Sequence, residues 1–398
     1  MNSANPAVFF PGRSSQVRIC VAPDSFKESL TAVEAAEWIA RGVRRACPSC
    51  EIDSVPMADG GEGTVAALVS ATGGRIEHAD VIGPLGERLT AAFGMLGRSR
   101  DRTTAVIEMA AASGLELVPP ELRNPMLTTT YGTGELIRAA LDAGARRILV
   151  GIGGSATVDG GVGMAQALGA RFFDDSGGEV GRGGQVLASI AGVDLTHLDS
   201  RLTECAVEVA CDVGNILTGA GGAAQVYGPQ KGATPEMVEK LDHGLAVLAD
   251  VVRRDTGIDV ERLPGAGAAG GLGAGLVAFA GACLRPGVNI VTEAVHLRER
   301  MAGCDLAITG EGKLDAQTAW GKAPAGVARI AAELGVPVMA LAGCIDDYEA
   351  LVPLGLAASF SIVDRPMASD EAFRRAGELL ERTASQAVAA FLAGMRRH

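Results

Sequence analysis

Carboxylates, lysines and hydroxyls crowd into a few short glycine-rich segments of this chain. The densest is Thr309-Gly310-Glu311-Gly312-Lys313-Leu314-Asp315-Ala316-Gln317-Thr318, followed by Gly321-Lys322-Ala323-Pro324. It places two acids, two lysines and two hydrogen-bonding side chains between a predicted strand and a predicted helix. A loop that only connects two elements rarely needs so many charges. Pro23-Asp24-Ser25-Phe26-Lys27 offers a carboxylate, a hydroxyl and an ammonium, although it also reads as a helix entry. In Asp59-Gly60-Gly61-Glu62-Gly63-Thr64 the glycines permit positive φ, and N–H groups at the following helix start favour an anion. The plainer reading of that segment is a tight turn.

Two further segments end predicted strands. Gly151-Ile152-Gly153-Gly154-Ser155-Ala156 continues into Thr157, Asp159, Gly160 and Gly161; Cys211-Asp212-Val213-Gly214-Asn215 also reads as a simple Asp/Asn turn. Phosphoryl transfer needs this inventory. Glycine backbone and lysines hold phosphates, carboxylates hold Mg²⁺, and one more carboxylate orients the attacking hydroxyl. The spacing G-x-x-x-x-G-K-[ST] occurs nowhere, which excludes a Walker A site. Gly151 to Ala156 also fits the dinucleotide fingerprint G-x-G-x-x-A, with Asp174 near the place of a ribose-binding acid. A nicotinamide dehydrogenase is therefore the competing reading. Against it, Gly160, Gly161 and Gly163 would loosen the helix that should follow, each costing ~1 kcal/mol relative to Ala. No catalytic His or Lys–Tyr pair stands out.

The elements that must position these loops follow an α/β rhythm. Arg18–Ala22 reads as a buried strand. Thr31–Ala46 reads as a helix with Thr31 as N-cap and Glu34 in the capping-box position. A strand at Glu51–Met57 and a further helix complete βαβα, the start of a parallel sheet. From about Arg75, strands follow without intervening helices, at Ile76–Val81, Leu89–Leu96 and Thr104–Met109. Strands at Arg146–Ile152 and Cys205–Val213 come next, then a long helix at Pro235–Asp255. After Gly287 the alternation returns, with strands Asp305–Thr309, Pro337–Ala342 and Ala357–Ile362, helix Ala323–Leu334 and a final helix Asp370–Gly394. The simplest account is a Rossmann-like parallel-sheet domain, residues 17–75 and 287–398, split by an inserted second α/β domain, residues 76–286. Residues 1–16 form a tail, and the active site is expected in the interdomain cleft, at the carboxyl ends of strands.

Composition narrows the class. Of 398 residues 54 are glycine, about twice the usual share. They cluster in loops between apolar runs. The net charge of −12, with no basic run, argues against a nucleic-acid partner. No stretch of about 18 uncharged apolar residues is present, and the apolar run Ala7–Phe10 is too short for a signal-peptide core. The expected location is the cytoplasm, with no membrane partner. The eight cysteines are expected to be reduced fillers, including the C-x-x-C pair Cys47 and Cys50.

At these loops the chain resembles the bacterial glycerate kinase family, glycerate 2-kinase type. APDSFKESL, MADGGEGT, TTTYGTGELI, IGGSATVDGG, CDVGN, GAAGGLG and TGEGKLDAQTAWGKAPAGVA occur in order from about Val17 to the last helix. The chain departs from the family pattern at Val158, where Asn is usual, and at Ile216, where Pro is usual. The resemblance implies ATP and Mg²⁺ as cofactors and D-glycerate as the small-molecule substrate. It favours 2-phosphoglycerate as product, with 3-phosphoglycerate as the chemical alternative. It leaves the oligomeric state, a homodimer included, open.

Roles follow residue by residue. Asp59 or Asp212 would be the base toward the glycerate hydroxyl, and Lys27 and Lys322 would neutralise phosphate or carboxylate charge. Asp24, Glu311 and Asp315 are the metal candidates. Gly60, Gly61, Gly153, Gly154 and Gly310 would let backbone approach a ligand, with Ser25, Thr133, Ser155, Asp159 and Gln317 as further substrate or nucleotide contacts.

Overall fold

The computed structural model describes residues 16–97, 103–346 and 349–395; most of the expected 1–16 tail lies outside them. The strands in chain order are β1 (Arg18–Val21), β2 (Glu51–Ser54), β3 (Arg75–Ile82), β4 (Arg88–Met95), β5 (Thr104–Glu108), β6 (Arg147–Gly151), β7 (Arg171–Phe173), β8 (Gly192–Asp194), β9 (Ala206–Ala210), β10 (Cys283–Arg285), β11 (Leu306–Leu314), β12 (Val338–Ile345) and β13 (Leu356–Ser361). They divide between two compact units, residues 1–58 with 292–398, and residues 59–291.

The first unit is a five-stranded sheet in the order β13-β12-β11-β1-β2, parallel throughout. Counted within the unit this is the doubly wound order 2-1-3-4-5. Its switch point lies between β1 and β11, and ligands bind such sheets beyond the carboxyl ends of the strands flanking that point. Helix Ala32–Ala46 starts as expected: Thr31 and Glu34 form a reciprocal capping box. Ile39 and Val43 on its inner face join Ile19, Val21, Leu306, Ile308, Leu379 and Leu380 in the core. The expected final helix is two, Ser369–Arg374 and Ala376–Met395. Cys47 and Cys50 depart from expectation, being joined in a disulfide. The turn that caps helix Ala32–Ala46, closed by Cys50 N–H donating to the Cys47 carbonyl, brings the two together.

The second unit carries a six-stranded mixed sheet, β10-β9-β6-β5-β4-β3. β10, β9, β6 and β5 run parallel, while β4 and β3 add an antiparallel edge. The unit begins at Asp59, whereas the sequence placed the boundaries at 75/76 and 286/287. The reason is packing: helix Thr64–Thr72 lies on this sheet, with Val65 and Val69 closing over Gly94 beside Val106. One apolar cluster fills the sheet's helix-covered faces around Ile107, Leu136, Ile148 and Val209. Another gathers around helix Pro235–Thr256. Val158 is wholly buried in that second cluster, so the departure from the family's Asn is a core residue.

Candidate active site

In the first unit β11 runs five residues beyond the expected end at Thr309, to Leu314. Glu311 and Lys313, expected in a loop, pair with Ala342 and Cys344 of β12. Gly310 makes this pairing possible: a Cβ there would run into the Leu341 carbonyl and approach the Phe26 ring. Strand packing by itself requires that glycine. Asp315 then caps the short turn Ala316–Trp320, accepting from Gln317 N–H at 3.0 Å and Thr318 N–H at 3.3 Å. Gln317 therefore contributes its backbone, and its side chain is exposed.

Glu311 is 7% exposed, with Oε1 accepting from Thr318 Oγ1 at 2.7 Å and Oε2 from Lys322 Nζ at 3.2 Å. Burial raises its pKa, although Thr318 and Lys322 pull the other way. Lys322 also lies 3.8 Å from Asp315, and Lys313 reaches Asp315 at 3.6 Å and Asp346 at 3.1 Å. Partial desolvation pushes Asp315 up, but Lys322, the two N–H groups and Lys313 together hold it below its ordinary value. Asp24, Ser25 and Lys27 follow β1. Asp24 N–H donates to the Gly310 carbonyl at 2.8 Å, and Asp24 Oδ1 accepts from Ser25 N–H at 2.6 Å. Lys27 is exposed and has no ion-pair partner among the described residues.

In the second unit three parallel strands end in register, with Glu108, Gly151 and Ala210 side by side. The loop Asp59–Gly63 lies over these ends. Gly60, at φ +98°, packs on Ala210, and Gly151 has no room for a Cβ against the Gly60 carbonyl. Asp59 Oδ1 accepts from Gly61 N–H at 3.1 Å, and Asp212 Oδ1 accepts from Gly287 N–H at 3.0 Å. Desolvation, then the charge of Asp59, raise Asp212 above its ordinary value despite the Gly287 bond. No Lys or Arg pairs with either acid among the described residues. Gly153 and Gly154 are exposed beside this loop, and Ser155 is 8% exposed.

Two expected contacts have other tasks. Asp159 is fully buried and accepts from Thr130 N–H (2.8 Å), Thr130 Oγ1 (2.9 Å), Gly161 N–H (3.1 Å) and Gly163 N–H (3.3 Å). It ties two helix starts together from within the core. Thr133 is equally buried, its hydroxyl 2.9 Å from Ser113 Oγ. The dinucleotide reading fails on geometry as well. No helix follows β6 until Val162, and Asp174 closes an exposed turn by accepting from Ser176 and Gly178 N–H.

Two residues were missed by sequence reasoning. Glu108 Oε1 accepts from Val65 N–H at 2.7 Å at the start of helix Thr64–Thr72, and burial pushes its carboxyl up although the N–H groups of Val65, Gly63 and Thr64 oppose this. Its signal was an acid at the carboxyl end of an apolar run. Lys231 is 2% exposed, its Nζ donating to Ser155 Oγ at 2.6 Å and the Thr157 carbonyl at 2.7 Å. A lysine between Gly228 and Gly232 in a segment of small and apolar residues was its faint signal.

A doubly wound sheet with an acid–lysine cluster beyond its switch point, and a second sheet presenting paired acids and exposed glycine backbone, are the frame of an α/β enzyme. The family model described as the glycerate kinase family matches residues 19–392. The glycerate kinase of Bacillus subtilis (strain 168) is 53% identical over 92% of this chain and 96% of its own length. The glycerate 2-kinase of Escherichia coli (strain K12) is 49% identical over 96% and 99%. A crystal structure assigned as glycerate kinase 2 of Salmonella typhimurium LT2 superposes with a TM-score of 0.88 at 51% identity, covering 96% of this chain and 100% of that one. The chain belongs to the glycerate kinase family.

Proposed function

We propose that this chain transfers the γ-phosphoryl group of ATP to the 2-hydroxyl of D-glycerate, giving 2-phosphoglycerate, with Asp212 taking the hydroxyl proton. Family membership makes the reaction an ATP-dependent phosphorylation of glycerate, and the relative named glycerate 2-kinase supports the 2-position. The observation that carries the residue assignment is the acidic pair Asp59 and Asp212, held at the carboxyl ends of parallel strands without a cationic partner. Raised proton affinity favours Asp212 as the base. Gly60, Gly61, Gly153 and Gly154 offer backbone to anionic oxygens nearby.

Mg²⁺ bound with ATP would neutralise phosphate charge, and such an ion usually takes one or two carboxylates besides the phosphates. The set Asp24, Glu311 and Asp315 fits it poorly, because oxygens of Glu311 and Asp315 are already engaged by Thr318, Lys322 and backbone N–H groups. Among the described residues no group of three or more acids, His or Cys is arranged for a metal. Asp59, with only Oδ1 engaged, fits better as the protein's ligand to an ATP-bound ion. Lys27, without an ion-pair partner among the described residues, and Lys322 would meet phosphate or carboxylate charge in the first unit, with Ser25 two positions from Lys27 as a further contact. The cytoplasm is the proposed setting, glycerate and ATP the partners; no helix among the described residues is long and apolar enough to cross a membrane.

The test is release of ADP from ATP. It should depend on D-glycerate and Mg²⁺, while NADH and the matching 2-oxo acid should give no oxidation signal. ADP release indifferent to glycerate would overturn the proposal.

A further inference from the structure

Lys231 is a buried ammonium with two neutral acceptors. It ends the short turn Pro229–Lys231, and its Nζ reaches back to the loop after β6, to Ser155 Oγ and the Thr157 carbonyl. Among the described residues the charged group that bears on it is Asp159, whose oxygens are already taken by Thr130, Gly161 and Gly163. Burying an ammonium without a carboxylate in contact is unfavourable. A serine–carbonyl contact could be made by a neutral side chain, so packing does not account for a lysine here. Thr157 Oγ1, in the same turn, is buried without a partner among the described residues.

The less buried end of this arrangement is Ser155, 8% exposed. A serine hydroxyl has one proton to donate and two lone pairs. Lys231, which has no lone pair when charged, must donate to Ser155 Oγ, so the serine proton is left to point elsewhere. Ser155 adjoins the exposed backbone of Gly153 and Gly154. A hydroxyl oriented this way carries part of the buried positive charge to the loop surface, where it suits an anionic oxygen.

We propose that Lys231 is a positioning residue for phosphoryl transfer: its buried ammonium fixes Ser155 Oγ as an acceptor, so that the Ser155 O–H donates to an anionic oxygen of bound substrate. The oxygen belongs either to the glycerate carboxylate or to an ATP phosphate. This rests on the reading that the Gly153–Ser155 loop meets substrate.

The experiment is a double-mutant cycle on the full chain with Lys231→Met and Ser155→Ala, measuring KM for each substrate and kcat. Each single variant should raise one KM about tenfold, the loss expected for a charge-assisted hydrogen bond, and the double variant should be no worse than the worse single. A change in the glycerate KM identifies the carboxylate as the ligand; a change in the ATP KM identifies the phosphate. If Ser155→Ala weakens binding and a folded Lys231→Met does not, the role of Lys231 is overturned and the loop reading survives. If neither variant changes KM or kcat, the loop reading falls as well. Should Lys231→Met fail to fold, the wild-type pH profile decides. Burial brings the Lys231 pKa down to about 7, so the affected KM should rise from pH 6 to pH 9, and Ser155→Ala should flatten that rise. A KM that stays level in the wild type overturns the proposal.

Discussion

The two units handle charge in opposite ways. In the first, acids and lysines neutralise one another: Glu311 and Asp315 share Lys322, and Asp315 and Asp346 share Lys313. In the second, like charges stand together without compensation at Asp59 and Asp212, and a cation lies buried without a carboxylate in contact at Lys231. A neutralised cluster contributes to stability and changes little when a ligand arrives. Uncompensated groups lower stability by themselves and gain most from a ligand of matching charge. On the proposed function, the difference would put the chemistry on the second unit's acids and give the first unit's cluster a larger share in holding its loop.

Substitutions can break that contrast. The largest effect is expected at Asp212→Asn, which should lower kcat by about a thousandfold, the range for a lost base, while the melting temperature holds or rises because an uncompensated charge is gone. A melting temperature that falls with kcat would make Asp212 structural. Lys322→Met should do the reverse in emphasis. It leaves Glu311 buried with Thr318 as its remaining side-chain partner, destabilising the fold by about 1–3 kcal/mol, visible in urea denaturation. Gly310→Ala should also destabilise by roughly 1–3 kcal/mol through overpacking against Leu341. Gly153→Ala, with no close side chain at its Cβ position, should leave stability unchanged and alter only KM.

The smallest effect is in the pH dependence of stability, and its sign separates the two buried groups. Lys231 has a folded pKa near 7, below the 10.5 of a free lysine. Between those values the unfolded chain binds the extra proton, so wild-type stability rises with pH relative to Lys231→Met. Glu311 has a raised folded pKa, so the folded state binds the extra proton just above the ordinary glutamate range, and this group makes stability fall as pH rises through that window. Melting temperatures of wild type and Lys231→Met at pH 6 and pH 9 should converge or cross. A constant difference would mean Lys231 is not buried as described.

Much of the architecture was legible because apolar runs, the Thr31–Glu34 capping box and glycine-ended strands are local signals. The strand extension through Leu314 was not, because its cause is a neighbour, β12, whose Leu341 carbonyl leaves room only for a glycine at 310. The site loops were legible as inventories of residue types. Their partners were not: that Asp159 and Thr133 turn inward, and that Lys231 comes up behind Ser155, 76 positions away, depends on pairings no spacing encodes. The boundary at Asp59 likewise turns on which sheet helix Thr64–Thr72 covers.

Phosphorus NMR of purified protein with ATP, Mg²⁺ and D-glycerate, run in parallel with Asp212→Asn, tests the central claim most directly. The account predicts ADP and a phosphomonoester doublet, from the single proton on the 2-carbon, growing with the wild type and nearly absent with the variant. A triplet from a 3-phosphate, or a variant as fast as the wild type, would contradict it.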